Sequence, residues 1–231
     1  RFKTRMKLTS QNVNKVIEQR LLKKNDDGIK TTSALYTEKK NSFGTLFDFA
    51  DGAKTYRNFT GMKRFIATYP FIPYQFTLFQ SSIEAFSSHN AFEGKHSSVG
   101  ERSMLEVFQN VAKQIMEKEE GELATFDLMF EGIRAILKSQ IQRSILNAEN
   151  HLASPFAIKV LKALFLVKYV KGFNATPRNL RVLLQEHLDQ DLPSLRKNIE
   201  GALNLLEQQT YIQRNGDVYE YLTDEDKYIE E

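Results

Sequence analysis

Four histidines and no cysteine limit the chemistry open to this chain of 231 residues. Without thiols there is no disulfide framework, thiolate zinc site or cysteine nucleophile. His89, His96, His151 and His187 contain no i, i+4 pair that would put two imidazoles on one helix face, so a metal centre is not expected. Gly94-Lys95-His96-Ser97 imitates the end of a phosphate-binding loop. That loop needs a second glycine five residues before the Gly-Lys pair, where His89 stands, and a strand ahead of it. Gly-x-Ser-x-Gly, His-Glu-x-x-His and Gly-x-Gly-x-x-Gly are all missing. No catalytic residue is assigned, and no cofactor is expected in this stretch itself.

Three segments remain that could bind rather than react. Gly100-Glu101-Arg102-Ser103 places an arginine on the first turn of an expected helix, where the helix N-terminus also favours an anion. Arg102 there is either a sensor of phosphate held by another domain or part of a local capping arrangement with Glu101. Tyr69-Pro70-Phe71-Ile72-Pro73-Tyr74-Gln75-Phe76 concentrates aromatic rings around two prolines. It reads as a packed connector, with a docking strand or a base-stacking platform as alternatives. Arg196, Lys197 and Asn198 on a late helix, with Arg214 at a hairpin tip, are candidates for DNA or partner contact. Acidic Asp189, Asp191, Glu200, Glu207 and Asp217 lie close to them in sequence, so the uncompensated cations that a phosphate backbone requires are few.

The elements that must position these residues are mostly helical. Thr9-Ser10 precedes apolar residues at helical spacing (Val13, Val16, Ile17, Leu21, Leu22), and Asn25-Asp26-Asp27-Gly28 is expected to end that helix. A less regular helix is expected over 32–50. Pro70 and Pro73 predict extended backbone at 69–73, followed by a helix that starts at Pro73 and runs through Phe76, Phe79, Ile83 and Phe86. Residues 87–98 read as an exposed loop. Met104, Leu105, Phe108, Val111, Ala112 and Ile115 form an apolar stripe on the next helix. One long helix is then expected from Thr125 through Phe126, Phe130, Ile133, Leu137, Ile141 and Ile145. The linker at 147–154 divides a helical, lid-like bundle at 1–150 from a second domain at 151–231.

In that second part Pro155, Pro177 and Pro193 each open a helix, and Asn215-Gly216-Asp217 joins two alternating segments as a hairpin. Three helices followed by a hairpin predict a winged-helix domain. The fold class expected overall is mainly α with this small hairpin. The formal net charge is only +3, with basic residues gathered near the start and acidic ones near the end. That polarity suits contact with nucleic acid or a neighbouring subunit, or simply a solvated surface. No apolar run approaches the roughly 20 residues that cross a bilayer, so no membrane contact is expected. The lack of cysteine fits a reducing, cytoplasmic setting. A start at Arg1 rather than Met suits a piece of a longer polypeptide.

Taken together, the chain resembles the BrxC/PglY family, the large P-loop ATPases of BREX bacteriophage-exclusion systems. The resemblance rests on Tyr69 to Phe76, and on His96-Ser97-Ser98-Val99-Gly100-Glu101-Arg102-Ser103-Met104-Leu105 with Phe108-Gln109. Leu161 to Val170, Asn179-Leu180 and Tyr219-Glu220-Tyr221-Leu222-Thr223 add to it. It implies a bacterial AAA+-type parent that takes part in phage defence and uses ATP and magnesium. This piece would lie after the nucleotide-binding core, since Walker A and Walker B segments have no counterpart here. The remainder of the parent ATPase, neighbouring subunits or other BREX proteins would be its partners. Arg102, with Gly100 allowing tight helix entry, would be the nucleotide-sensing candidate. The rival expectation is a winged-helix DNA-binding module.

Overall fold

A computed structural model describes residues 10–52, 54–94 and 100–229, and for 10–12 and 100–103 it describes the backbone only. Helix α1 (Ser10–Val16) runs into a π-helical turn at Ile17–Leu21. Asn25, expected to belong to a terminating turn, instead opens α2 (Asp26–Lys39): its side chain accepts from the Gly28 amide at 2.8 Å. Asn is a favoured N-cap, and Asp26 and Asp27 in the first turn complement the helix dipole. After a 3-10 turn at Lys40–Ser42 come α3 (Phe43–Phe47) and α4 (Met62–Thr68).

The proline-rich segment follows its expectation in part: the Phe71 amide bonds to the Thr68 carbonyl at 2.8 Å, so 69–71 is a turn rather than extended throughout. Tyr69 and Ile72 have extended backbone, with ψ of 131° and 138°, and α5 (Pro73–Ser88) starts at Pro73. The Tyr69-Pro70 bond is cis. Phe71 through Phe76 are all buried. Gln75 is fully buried, and its amide satisfies the Ile72 N–H at 3.0 Å and the Ala124 carbonyl at 2.7 Å. The segment is thus a packed connector rather than an exposed strand.

Two expectations between α5 and the C-terminal part need correction. Residues 89–90 are exposed, but Ala91 and Phe92 are buried, so the loop at 87–98 is not uniformly outside. After α6 (Gly100–Ile115), the single long helix expected from Phe126 is three pieces: 3-10 turns at Phe126–Gly132 and Arg134–Ile136, then α7 (Ser139–His151). The reason is tertiary. The Ile136 carbonyl and Lys138 amide, which a continuous helix would use internally, bond to Glu93 and Ala91 at 2.9 Å each. Gly132 also passes so close to α6 that a Cβ there would stand 2.3 Å from Val107 Cγ2.

Helix α8 (Pro155–Val167), capped by the Ser154 hydroxyl on the Ala157 amide at 3.1 Å, is buried on almost every side. Its Phe165 stacks on Phe86 of α5 at 4.9 Å and meets Tyr221 edge-on at 5.2 Å. Helices α9 (Pro177–Leu183) and α10 (Leu192–Gln208) follow, capped by Thr176 and Asp191. Strands β1 (Ile212–Asn215) and β2 (Val218–Tyr221) pair antiparallel with Ile212 opposite Tyr221. Gly216 takes the positive φ of 64° that this tight turn demands. Thr223 and Asp226 cap each other at the start of α11 (Asp224–Ile229).

The described chain is therefore mainly helical with one small antiparallel hairpin. No described helix is long and apolar enough to cross a membrane. Buried residues on both sides of 147–154, from Val13 to Tyr221, belong to one apolar cluster.

Candidate functional site

A densely tied junction lies between α9 and the segment that follows α2. Asn179 is 1% exposed, and its side chain reads the backbone of Ala50 in both directions. Oδ1 accepts from Ala50 N at 2.9 Å, while Nδ2 donates to Ala50 O at 2.7 Å and to Asn174 O at 2.8 Å. Asn174 in turn donates to the Asp51 carbonyl. Phe49 inserts edge-on between Tyr74 at 4.9 Å and Phe173 at 5.2 Å. At the far end Lys39 of α2 pairs with Asp189 in the turn between α9 and α10. The Asn179 amide thus uses its oxygen as acceptor and its nitrogen as donor to two carbonyls.

Arg181 belongs to the same junction. It is 6% exposed, and Nη2 donates to the Thr45 carbonyl at 2.9 Å. No carboxylate pairs with it among the described residues. Burial pushes its pKa down to about 10, and the like charges of Arg178 and Arg196 add to the effect. Arg178 Nη1 is buried with no partner. Arg181 is thus held by one backbone carbonyl rather than by an ion pair, an arrangement that holds a cation less firmly than a carboxylate does.

The residues singled out from the sequence fall into two groups. Lys197 and Asn198 are exposed on α10, as a contact surface requires. Arg196 and Arg214 are diverted: Arg196 pairs with Glu200 at 3.2 Å and Arg214 with Glu207 at 3.7 Å. Arg196 lies close enough to Arg181 for their like charges to interact, while Arg214 lies on β1 beside α10. The Arg102 side chain and its link to Gly100 lie outside the described residues. Sequence reasoning missed Asn179, Arg181 and Asn174 as a unit. Asn179 and Arg181 on the short helix after Thr176-Pro177 were a usable signal, because both are polar residues set among Leu180, Val182 and Leu183.

Among the described residues no group of three or more His, Cys, Asp or Glu could hold a metal ion. No protein-family model matches the chain, and no solved structure matches it significantly.

Proposed function

We propose that this chain is a non-catalytic regulatory and assembly region of a BREX phage-defence ATPase of the AAA+ type, coupling nucleotide state in its parent to protein partners. In this reading the N-terminal helices are the lid-like part, and α8, α9, α10 and the hairpin are a winged helix. ATP and magnesium belong to the parent core, and Arg102 with Gly100 is the candidate that senses nucleotide there. Neighbouring subunits or other BREX proteins are the partners.

The observation that carries the reading is the tie between Asn179 and Ala50, backed by Arg181 to Thr45 and Lys39 to Asp189. A displacement of the helical part is passed to α9 through these bonds, because breaking them strands buried polar groups. Charge disfavours the DNA reading: Arg196 and Arg214 pair with acids, which leaves Lys197 as the exposed cation of that set with no ion pair among the described residues. Duplex binding draws on several free cations.

A salt series decides between the two. The regulatory reading expects no duplex binding at about 50 mM salt, where non-specific electrostatic contacts still hold. Affinity that falls steeply with salt, and drops with Lys197→Ala or Arg196→Ala, would establish the DNA module instead. Release of phosphate from ATP by the isolated chain would remove the non-catalytic assignment.

A further inference from the structure

Between the π-helical turn, the start of α2 and α4 lies an open groove of about 570 Å³. Its floor is Leu22, Ile66 and Ala67, and its rim carries Lys23, Lys24 and Lys63. None of the three lysines is in an ion pair among the described residues. Lys24 Nζ rests on two neutral acceptors, the carbonyls of Leu22 at 3.0 Å and Ile66 at 2.5 Å. Glu18, the acid lining the groove, is engaged by Arg64. The groove is thus an apolar trough with uncompensated positive charge.

Helix α11 has the opposite character. Asp226 and Lys227 hold its inner face, through Lys168 at 2.9 Å and the Tyr211 ring at 5.3 Å. That fixes what faces outward. Asp224 and Tyr228, and Glu225 and Ile229, are i, i+4 pairs, so two carboxylates and two apolar side chains share the outer face. Tyr228 is 78% exposed and Ile229 84%, while Ile29, which lines the groove, is 41% exposed. Exposed apolar groups on a soluble surface mark a contact when they sit together, and here they sit at two places of opposite charge.

We propose that α11 of one copy docks in the Lys23–Lys24–Lys63 groove of a second copy, Tyr228 and Ile229 on the apolar floor and Asp224 and Glu225 against the lysines. A groove of this size accommodates a drug-sized ligand, which exceeds two side chains. The two surfaces differ, so a single contact leaves a free α11 and a free groove: docking on further copies propagates into a ring or an open chain, and reciprocal docking of two copies closes a two-fold dimer. A six-residue helix buries less than the roughly 1,200 Å² of a stable interface, so each contact is weak. This gives the assembly role proposed above a specific contact and rests on that reading only for its place in the intact protein. It is read by mass alone, whereas the family reading is tested by DNA and nucleotide.

The test is sedimentation equilibrium of the whole chain at low and high salt, up to about 1 mM, the weak end of the affinity scale. The average mass should climb above that of the monomer with concentration and fall back in high salt. Lys23→Glu with Lys63→Glu reverses the groove, and Asp224→Lys with Glu225→Lys reverses the helix. Each pair alone should lower the association constant at least about tenfold. Mixing the two variants makes both contacts complementary again and should restore association. All four side chains are exposed, so folding is not at stake. A constant monomer mass, or variants that associate as well singly as mixed, would each overturn the proposal.

Discussion

Removing the Asn179 side chain should loosen the helical part from α9 and cost far more than its size suggests. Asn179→Ala deletes three bonds, one from Ala50 N and two to the carbonyls of Ala50 and Asn174. A buried group left unpaired costs about 1–3 kcal/mol, and because the Ala50 and Asn174 groups are only partly buried, water offsets some of this. The expected loss is about 3 kcal/mol, which for a chain of this length lowers the melting midpoint by about 6–12 °C. Urea unfolding gives the free energy directly, and amide exchange should show residues 45–51 losing protection first. Asn179→Asp sharpens the test. Its carboxylate would face two carbonyls, which raises its folded-state pKa above the unfolded one. Stability should then be lost as pH rises from the unfolded through the folded value and regained on acidification. A loss below about 0.5 kcal/mol for Asn179→Ala, the scatter of neutral surface changes, would refute the tie as a structural coupling.

Gly132→Ala should destabilise by about 1–3 kcal/mol, the usual cost of overpacking, because Val107 is branched and buried beside it. Combining it with Val107→Ala should return part of that loss, measured as a non-additive double-mutant cycle. Burial works against ionisation of Asp226, but Lys168 and the Thr223 amide and hydroxyl overcome it and hold the carboxyl below its ordinary value. A depressed folded-state pKa gives stability present above the unfolded value and lost as pH falls through the folded one. Melting midpoints should therefore drop below about pH 4, the ordinary Asp value, and Lys168→Met should flatten that slope. Burial lowers the Lys24 amine to about 8. Its side-chain carbon resonances should titrate near that value, below the ordinary lysine range. A midpoint near the ordinary lysine value would contradict its packing.

Local chemistry was well written in the chain. Pro73, Ser154-Pro155, Thr176-Pro177 and Asn215-Gly216 carry their instructions within a few residues, and each marks the start or turn it should. The apolar stripe from Met104 to Ile115 likewise folds as a helix with that face inward. Asn25 was ambiguous for a physical reason, since Asn followed by Asp and Gly suits both the end of one helix and the cap of the next.

The sequence by itself determined a mainly helical chain, its hairpin, and the buried fate of the segment from Phe71 to Phe76, because caps, prolines and periodicity act through neighbours along the backbone. Only the tertiary structure decided that 126–145 is broken rather than continuous, since Glu93 and Ala91 compete for the bonds a helix would use. It alone decided that Asn179 reads Ala50 across 129 positions of chain, and that Arg196 and Arg214 are paired while Lys23, Lys24 and Lys63 share a groove. Partners so distant in sequence leave no periodic trace, because what joins them is the packing of helices whose own patterns say only which face is buried.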